Sequence, residues 1–143
     1  MKVLINKCYG GAGLSGEALK EVARRKGVEL TYYKANYYEN FHDKRYTRID
    51  NPDLKDDHWL STTTKDMGEV IDNDMLNENY FSEYDLLEDR TDKDIIDVVE
   101  EMGDAANGRC AQLRIVEVPD DVQWEIEEYD GIEWIAEVHR TWG

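Results

Sequence analysis

Ile5-Asn6-Lys7-Cys8-Tyr9-Gly10-Gly11-Ala12-Gly13-Leu14-Ser15 carries an apolar strand into a glycine-rich turn and then a helix, and the rest of the chain is organised around it. Val3 and Ile5 alternate with Lys2 and Asn6 as in a half-buried strand. Ser15 stands where a helix N-cap is expected, and Leu19, Val22 and Ala23 follow at helical spacing until Gly27 closes the element. Gly10, Gly11 and Gly13 permit positive φ and set bare backbone N–H groups beside a helix N-terminus, which is one way of holding a phosphate. The spacing is neither the dinucleotide fingerprint nor a P-loop, because no Gly-Lys-Ser/Thr follows. Two readings therefore stand side by side: a tight connection without ligand, and an anion or nucleotide contact.

Beyond this helix, Val28–Tyr33 is β-branched and aromatic and reads as a second strand, which a right-handed crossover would place in one sheet with the first. Residues 35–90 are crowded with Asn, Asp, Tyr and Lys and sustain no period, so they read as a long irregular insertion with one or two short strands. Thr91 is the expected cap of a second helix, with Asp94 at the capping-box position and Ile95, Ile96, Val99 and Met102 on its buried stripe. Asn107-Gly108 turns the chain into a strand from Cys110 to Val118, with Leu113, Ile115 and Cys110 inward. Residues 122–129 and 132–139 flank Asp130-Gly131, a strong two-residue hairpin signal. The expected architecture is a single α+β domain over residues 1–143, with a mainly antiparallel sheet of about five strands, two helices and the 35–90 insertion.

Charge narrows the function. The chain of 143 residues has a formal net charge of −16, and the first thirty residues hold six Lys/Arg against three Asp/Glu, which leaves a net −19 on the remainder. Such a field repels nucleic-acid backbones and anionic membranes, so direct duplex binding and membrane association are not expected. It suits either a solvated acidic surface or a protein that docks on a basic nucleic-acid-binding site. Cys8 and Cys110 are too few for a disulfide framework, and no apolar run approaches a membrane span or a leader, so the expectation is a cytoplasmic protein. Four tryptophans and nine tyrosines exceed what so small a core readily buries, which points to a homo-oligomer.

Catalytic and metal chemistry find little support. Cys8 with His139 is the best nucleophile and base available, with nothing to fix their separation. Glu125, Glu127, Glu128, Asp130 and Glu133 alternate across the hairpin and so fall on both of its faces, as at a solvated edge. His42, His58 and His139 form no zinc-type spacing. No catalytic residue, metal or cofactor is expected, and the protein reads as a non-enzyme. Scarce cations stand out instead: Arg109, Arg114 and Arg140, the last within His139-Arg140-Thr141-Trp142, where a guanidinium fork and an indole face lie together.

The opening INKCYGGAGLS, with EVPDD and the closing EYDGIEWIAEVHRTW, resembles a family of small proteins encoded by tailed bacteriophages. The likeness covers roughly the first twenty residues and then the second helix through to the C-terminus, with Ala12 where the resemblance leads one to expect an aromatic residue. It brings no activity to carry over; it implies a phage accessory gene, and such genes often counter host defence. The leading expectation is a phage protein that binds and sequesters a small anionic nucleotide signal without cleaving it, in the cytoplasm of the infected cell. Its ligand-binding set would be Asn6, Tyr9, Gly10, Gly11, Gly13, Ser15, Arg109, Arg114, His139, Arg140 and Trp142. The alternative is an acidic, nucleic-acid-mimicking inhibitor of a defence nuclease, and a weaker one is a hydrolase of the same signal.

Overall fold

The computed structural model describes residues 1–36, 44–55 and 60–138. In chain order the elements are β1 (Lys2–Asn6), α1 (Gly16–Arg25), β2 (Thr31–Ala35), β3 (Arg45–Ile49), β4 (Leu60–Thr63), β5 (Val70–Asp72), α2 (Asn73–Glu78), α3 (Glu83–Glu88), α4 (Lys93–Met102), a 3-10 turn (Gly103–Ala106), β6 (Leu113–Glu117), β7 (Trp124–Tyr129) and β8 (Ile132–Glu137). The protein is mixed α and β, and every strand pairing among the described residues is antiparallel. In place of one five-stranded sheet with two helices, the described residues form three sheets, β1-β6, β4-β2-β3-β5 and β7-β8, and four α-helices. No helix among the described residues is long and apolar enough to cross a membrane.

The chain divides into two compact units, Met1–Val22 with Glu83–Gly143, and Ala23–Ser82. In the first, β1 is buried at Val3, Leu4, Ile5 and Asn6, so both of its faces are covered and the expected half-buried alternation is absent. Val3 and Ile5 pack with Val118, and Trp124, Ile126 and Ile135 from the β7-β8 hairpin close over them. β1 does not share a sheet with β2. One of its edges is taken by β6, with Ile5 opposite Arg114. Along β1, Leu4 N–H also donates to the Arg90 carbonyl (2.8 Å) and Asn6 N–H to the Glu133 carboxylate (2.8 Å). With those amides engaged, a crossover strand has nowhere to pair.

Helix signals are met with one shift. Ser15 Oγ accepts from Ala18 N–H at 3.1 Å, as an N-cap does. On α4 the cap is Asp92, whose carboxylate accepts from Ile95 N–H, while Thr91 Oγ1 donates to Asp89 instead. Both side chains can cap; the carboxylate one residue later reaches the third amide and adds a favourable charge at the helix N-terminus. The hairpin is as expected, with Asp130 at φ 48° and Gly131 at φ 92°.

The second unit contains most of the segment expected to be irregular, yet among its described residues lies a four-stranded sheet. Tyr33, Tyr46, Ile71 and Leu76 form its apolar cluster. Tyr33 is fully buried and still satisfied: its hydroxyl donates to the Gly68 carbonyl (2.9 Å) and accepts from Met67 N–H (3.0 Å). Asp72 caps α2 by accepting from Met75 N–H at 2.8 Å.

Candidate functional site

The glycine-rich turn after β1 is held from three sides within the first unit. Asn6 is wholly buried, and its amide group is fully used: Nδ2 donates to the carbonyls of Cys8 (2.9 Å) and Gly131 (2.8 Å), and Oδ1 accepts from Gln112 N–H (2.8 Å). A buried amide with two donors and one acceptor matched is a fixed structural joint. The hairpin tip lies directly on the turn. Gly10 N–H donates to the Asp130 carbonyl at 3.1 Å, and a Cβ at Gly131 would run into the backbone N of Gly11 and come within 2.6 Å of that of Gly10. Gly131 is therefore required twice, for its φ and for this close approach.

A second contact closes the other end. Gly108 N–H donates to the Gly13 carbonyl (2.8 Å), and a Cβ on Gly108 would sit 2.7 Å from the Gly13 carbonyl carbon. Cys110 lies against Gly10, whose added Cβ would be 2.8 Å from the Cys110 Cβ. Cys110 is exposed rather than inward, because it precedes β6 and lies outside the paired ladder.

The third contact is electrostatic. Leu14 N–H donates to Glu83 Oε1, which brings a carboxylate from the start of α3 to the residue just before the cap of α1. Burial pushes the Glu83 carboxyl above its ordinary value, against the opposite pull of the Leu14 N–H. The protein thus fills part of its own anion cradle.

Hairpin and turn are tied together by an ion pair. Arg90 Nη1 and Nη2 donate to the two Glu133 oxygens at 2.6 and 2.9 Å, and Glu133 Oε1 also receives Asn6 N–H. Glu133 is buried, and the guanidinium uses its Nε on the Leu87 carbonyl (2.5 Å). Such a pair holds geometry more than it adds stability, because desolvation offsets much of the attraction.

Among the residues expected to bind ligand, Asn6, Gly10, Gly11, Gly13 and Ser15 are thus brought into one neighbourhood. Ser15 Oγ donates to the Ala105 carbonyl at 2.7 Å besides capping α1. Tyr9 is 63% exposed beside the turn, and Arg109 is exposed between Gly108 and Cys110, both of which touch it. Arg114 is placed on β6, where its guanidinium meets the Leu113 carbonyl (2.7 Å) and the Asp104 carboxylate (3.4 Å). His139, Arg140 and Trp142 lie outside the described residues, as do His42 and His58. Among the described residues no group of three His, Cys, Asp or Glu side chains is arranged to hold a metal ion.

Sequence reasoning missed Glu83 and Arg90, which do most to shape this neighbourhood. Neither carries a local signal, since each acts across long stretches of chain. No family model, no curated protein and no solved structure was found to match this chain.

Proposed function

We propose that the protein is a non-catalytic binder that sets its acidic surface against a cationic, nucleic-acid-binding site of another protein, as a phage counter-defence inhibitor would in the host cytoplasm. The observation that carries this is the internal filling of the glycine-rich turn. The Leu14 amide serves the Glu83 carboxylate and the Gly10 amide serves Asp130, so two donors that would receive a phosphate already have acceptors. Lys2, Arg48, Arg90, Lys93 and Arg114 each lie in an ion pair with a carboxylate, which cancels their charge locally. What an approaching partner meets is then the excess of 33 Asp/Glu over 17 Lys/Arg.

Sequestration of a small nucleotide is the second reading, favoured by exposed Arg109 beside the turn. One pair of measurements decides between them. Inhibition of basic defence nucleases that weakens with salt and is overcome by excess oligonucleotide supports the acidic binder. Calorimetry with cyclic dinucleotides, cyclic trinucleotides and ADP-ribose-derived signals, giving binding well below millimolar, shifts the conclusion to sequestration, and breakdown of the nucleotide shifts it to hydrolysis.

A further inference from the structure

We infer that the outward face of the β7-β8 hairpin is the docking surface, and that its occupant is a cationic groove with an aromatic floor, of the kind that otherwise holds single-stranded nucleic acid. This rests on the acidic-binder function and adds where, and to what chemistry, the protein binds.

The register fixes which side chains share that face. Ile126 pairs with Ile135, and both pack toward Val3 and Ile5, so this side of the hairpin is the inner one. The alternate positions face outward: Glu125 and Glu127 opposite Ala136 and Trp134, then Tyr129 opposite Ile132. Val138 extends the row, its N–H donating to the Gln123 carbonyl at 2.8 Å. Tyr129, Trp134 and Val138 are 68%, 39% and 41% exposed, which is unusual for a row of large apolar side chains on one sheet face.

The face is also prepared for binding. Trp134 Nε1 donates to Glu127 at 3.0 Å, which holds the indole beside a carboxylate. The hairpin's tip is fixed by Asn6 and its second strand by Arg90 through Glu133, so little order is lost on docking.

Charge selects the occupant. Residues 122–138 carry no Lys, Arg or His, and of their six carboxylates Glu125 and Glu127 lie on this face while Glu133 is buried against Arg90. A second copy would bring the same carboxylates against these, and like-charge juxtaposition across an interface is costly. An anionic membrane is repelled for the same reason. A groove that binds single strands offers Lys and Arg for a backbone and aromatic rings for bases. Glu125 and Glu127 would offer carboxylates to such cations in place of phosphates, and Trp134 and Tyr129 would offer rings to the aromatic floor and to arginine.

The test uses the full chain, with amide NMR and calorimetry, against two probes: an octa-arginine peptide, and a single-stranded-DNA-binding OB-fold domain with or without oligo-dT. Amide shifts concentrated in residues 124–138, reversed by oligo-dT, are expected. Trp134→Ser and Tyr129→Ser should each weaken OB-domain binding by about tenfold with folding retained, because both side chains point away from the core. Asp85→Asn with Glu88→Asn, charge removals on α3, should leave it within about twofold. If wild type binds the OB domain but Trp134→Ser binds equally well, or the shifts centre elsewhere, the hairpin assignment falls and the acidic-binder function stands. If wild type binds neither probe, that function falls and takes the assignment with it. Concentration-dependent shifts of the hairpin without any probe would identify a second copy as the occupant and overturn the proposal.

Discussion

Arg90 and Glu133, 43 positions apart in the chain, meet through two hydrogen bonds of 2.6 and 2.9 Å, and this pair fixes the hairpin against β1. Arg90→Met leaves Glu133 buried with its main counter-charge gone, and unfolding in urea should show a loss of about 3–5 kcal/mol. Glu133→Gln in turn strips the Arg90 guanidinium, 17% exposed, of its carboxylate, and should cost a comparable amount. Arg90→Met combined with Glu133→Met should lose much less than the sum of the two single losses, and additive losses would contradict the uncompensated-charge explanation.

Asn6→Asp is the second prediction. The substitution replaces the donors that serve the Cys8 and Gly131 carbonyls with a carboxylate oxygen. Two buried acceptors lose their partners, each at about 1–3 kcal/mol, and a charge is placed among them. Faster hydrogen exchange at Gly10, Gln112 and Gly131 should accompany the fall in stability.

Gly131→Ala and Gly11→Ala separate steric from conformational need. Both glycines have positive φ, 92° and 90°, but a Cβ on Gly11 meets nothing within 4 Å, whereas one on Gly131 meets the turn backbone. Gly11→Ala should cost about 1–2 kcal/mol, the strain of a left-handed backbone alone. Gly131→Ala should cost clearly more, read as a larger drop in the urea midpoint.

Glu83 gives a signed pH dependence. Its folded carboxyl titrates above the ordinary 4.5 because of burial, so in the range just above that value the folded state binds more protons than the unfolded one. Stability must therefore fall as pH rises from 4.5 through the folded titration. Glu83→Gln should flatten that part of the stability–pH profile and leave the protein more stable at neutral pH. A steeper profile in the variant would refute the assignment.

Tyr32 carries a hydroxyl that is buried without a hydrogen-bond partner. Tyr32→Phe removes an unsatisfied polar atom and keeps the ring, so stability should stay level or rise by about 1 kcal/mol. A loss above that would reveal a partner for the hydroxyl.

Elements written in contiguous residues were legible from the chain alone. Ser15, Gly27, Gly103 and Asp130-Gly131 act through groups a few bonds away, so their capping and turning are local properties of the polymer. The apolar stripe of α4 is of the same kind, with Ile95, Ile96 and Val99 buried as spacing requires. In the second unit the strand read at Val28–Tyr33 overlaps β2, and the one or two short strands expected within 35–90 fall short of the three found: β3, β4 and β5 have five, four and three residues, too few for a period, and many of those residues are polar. Sheet membership was not legible, since pairing β1 with β6 depends on which edge groups find acceptors more than a hundred residues away.

The same division applies to the glycine-rich turn. Sequence determined that the backbone there would be bare and able to take positive φ, because only glycine lacks the Cβ that forbids it. Whether that bare backbone faces solvent, a ligand or the chain itself depends on where Gly131, Gly108 and Glu83 arrive, and their arrival is set by the packing of β1 against the hairpin and by the placement of α3 beside the turn. Tertiary structure alone decided that the turn's Gly10 and Leu14 amides serve Asp130 and Glu83, because hydrogen-bond satisfaction is settled by proximity in space and leaves no mark in local sequence.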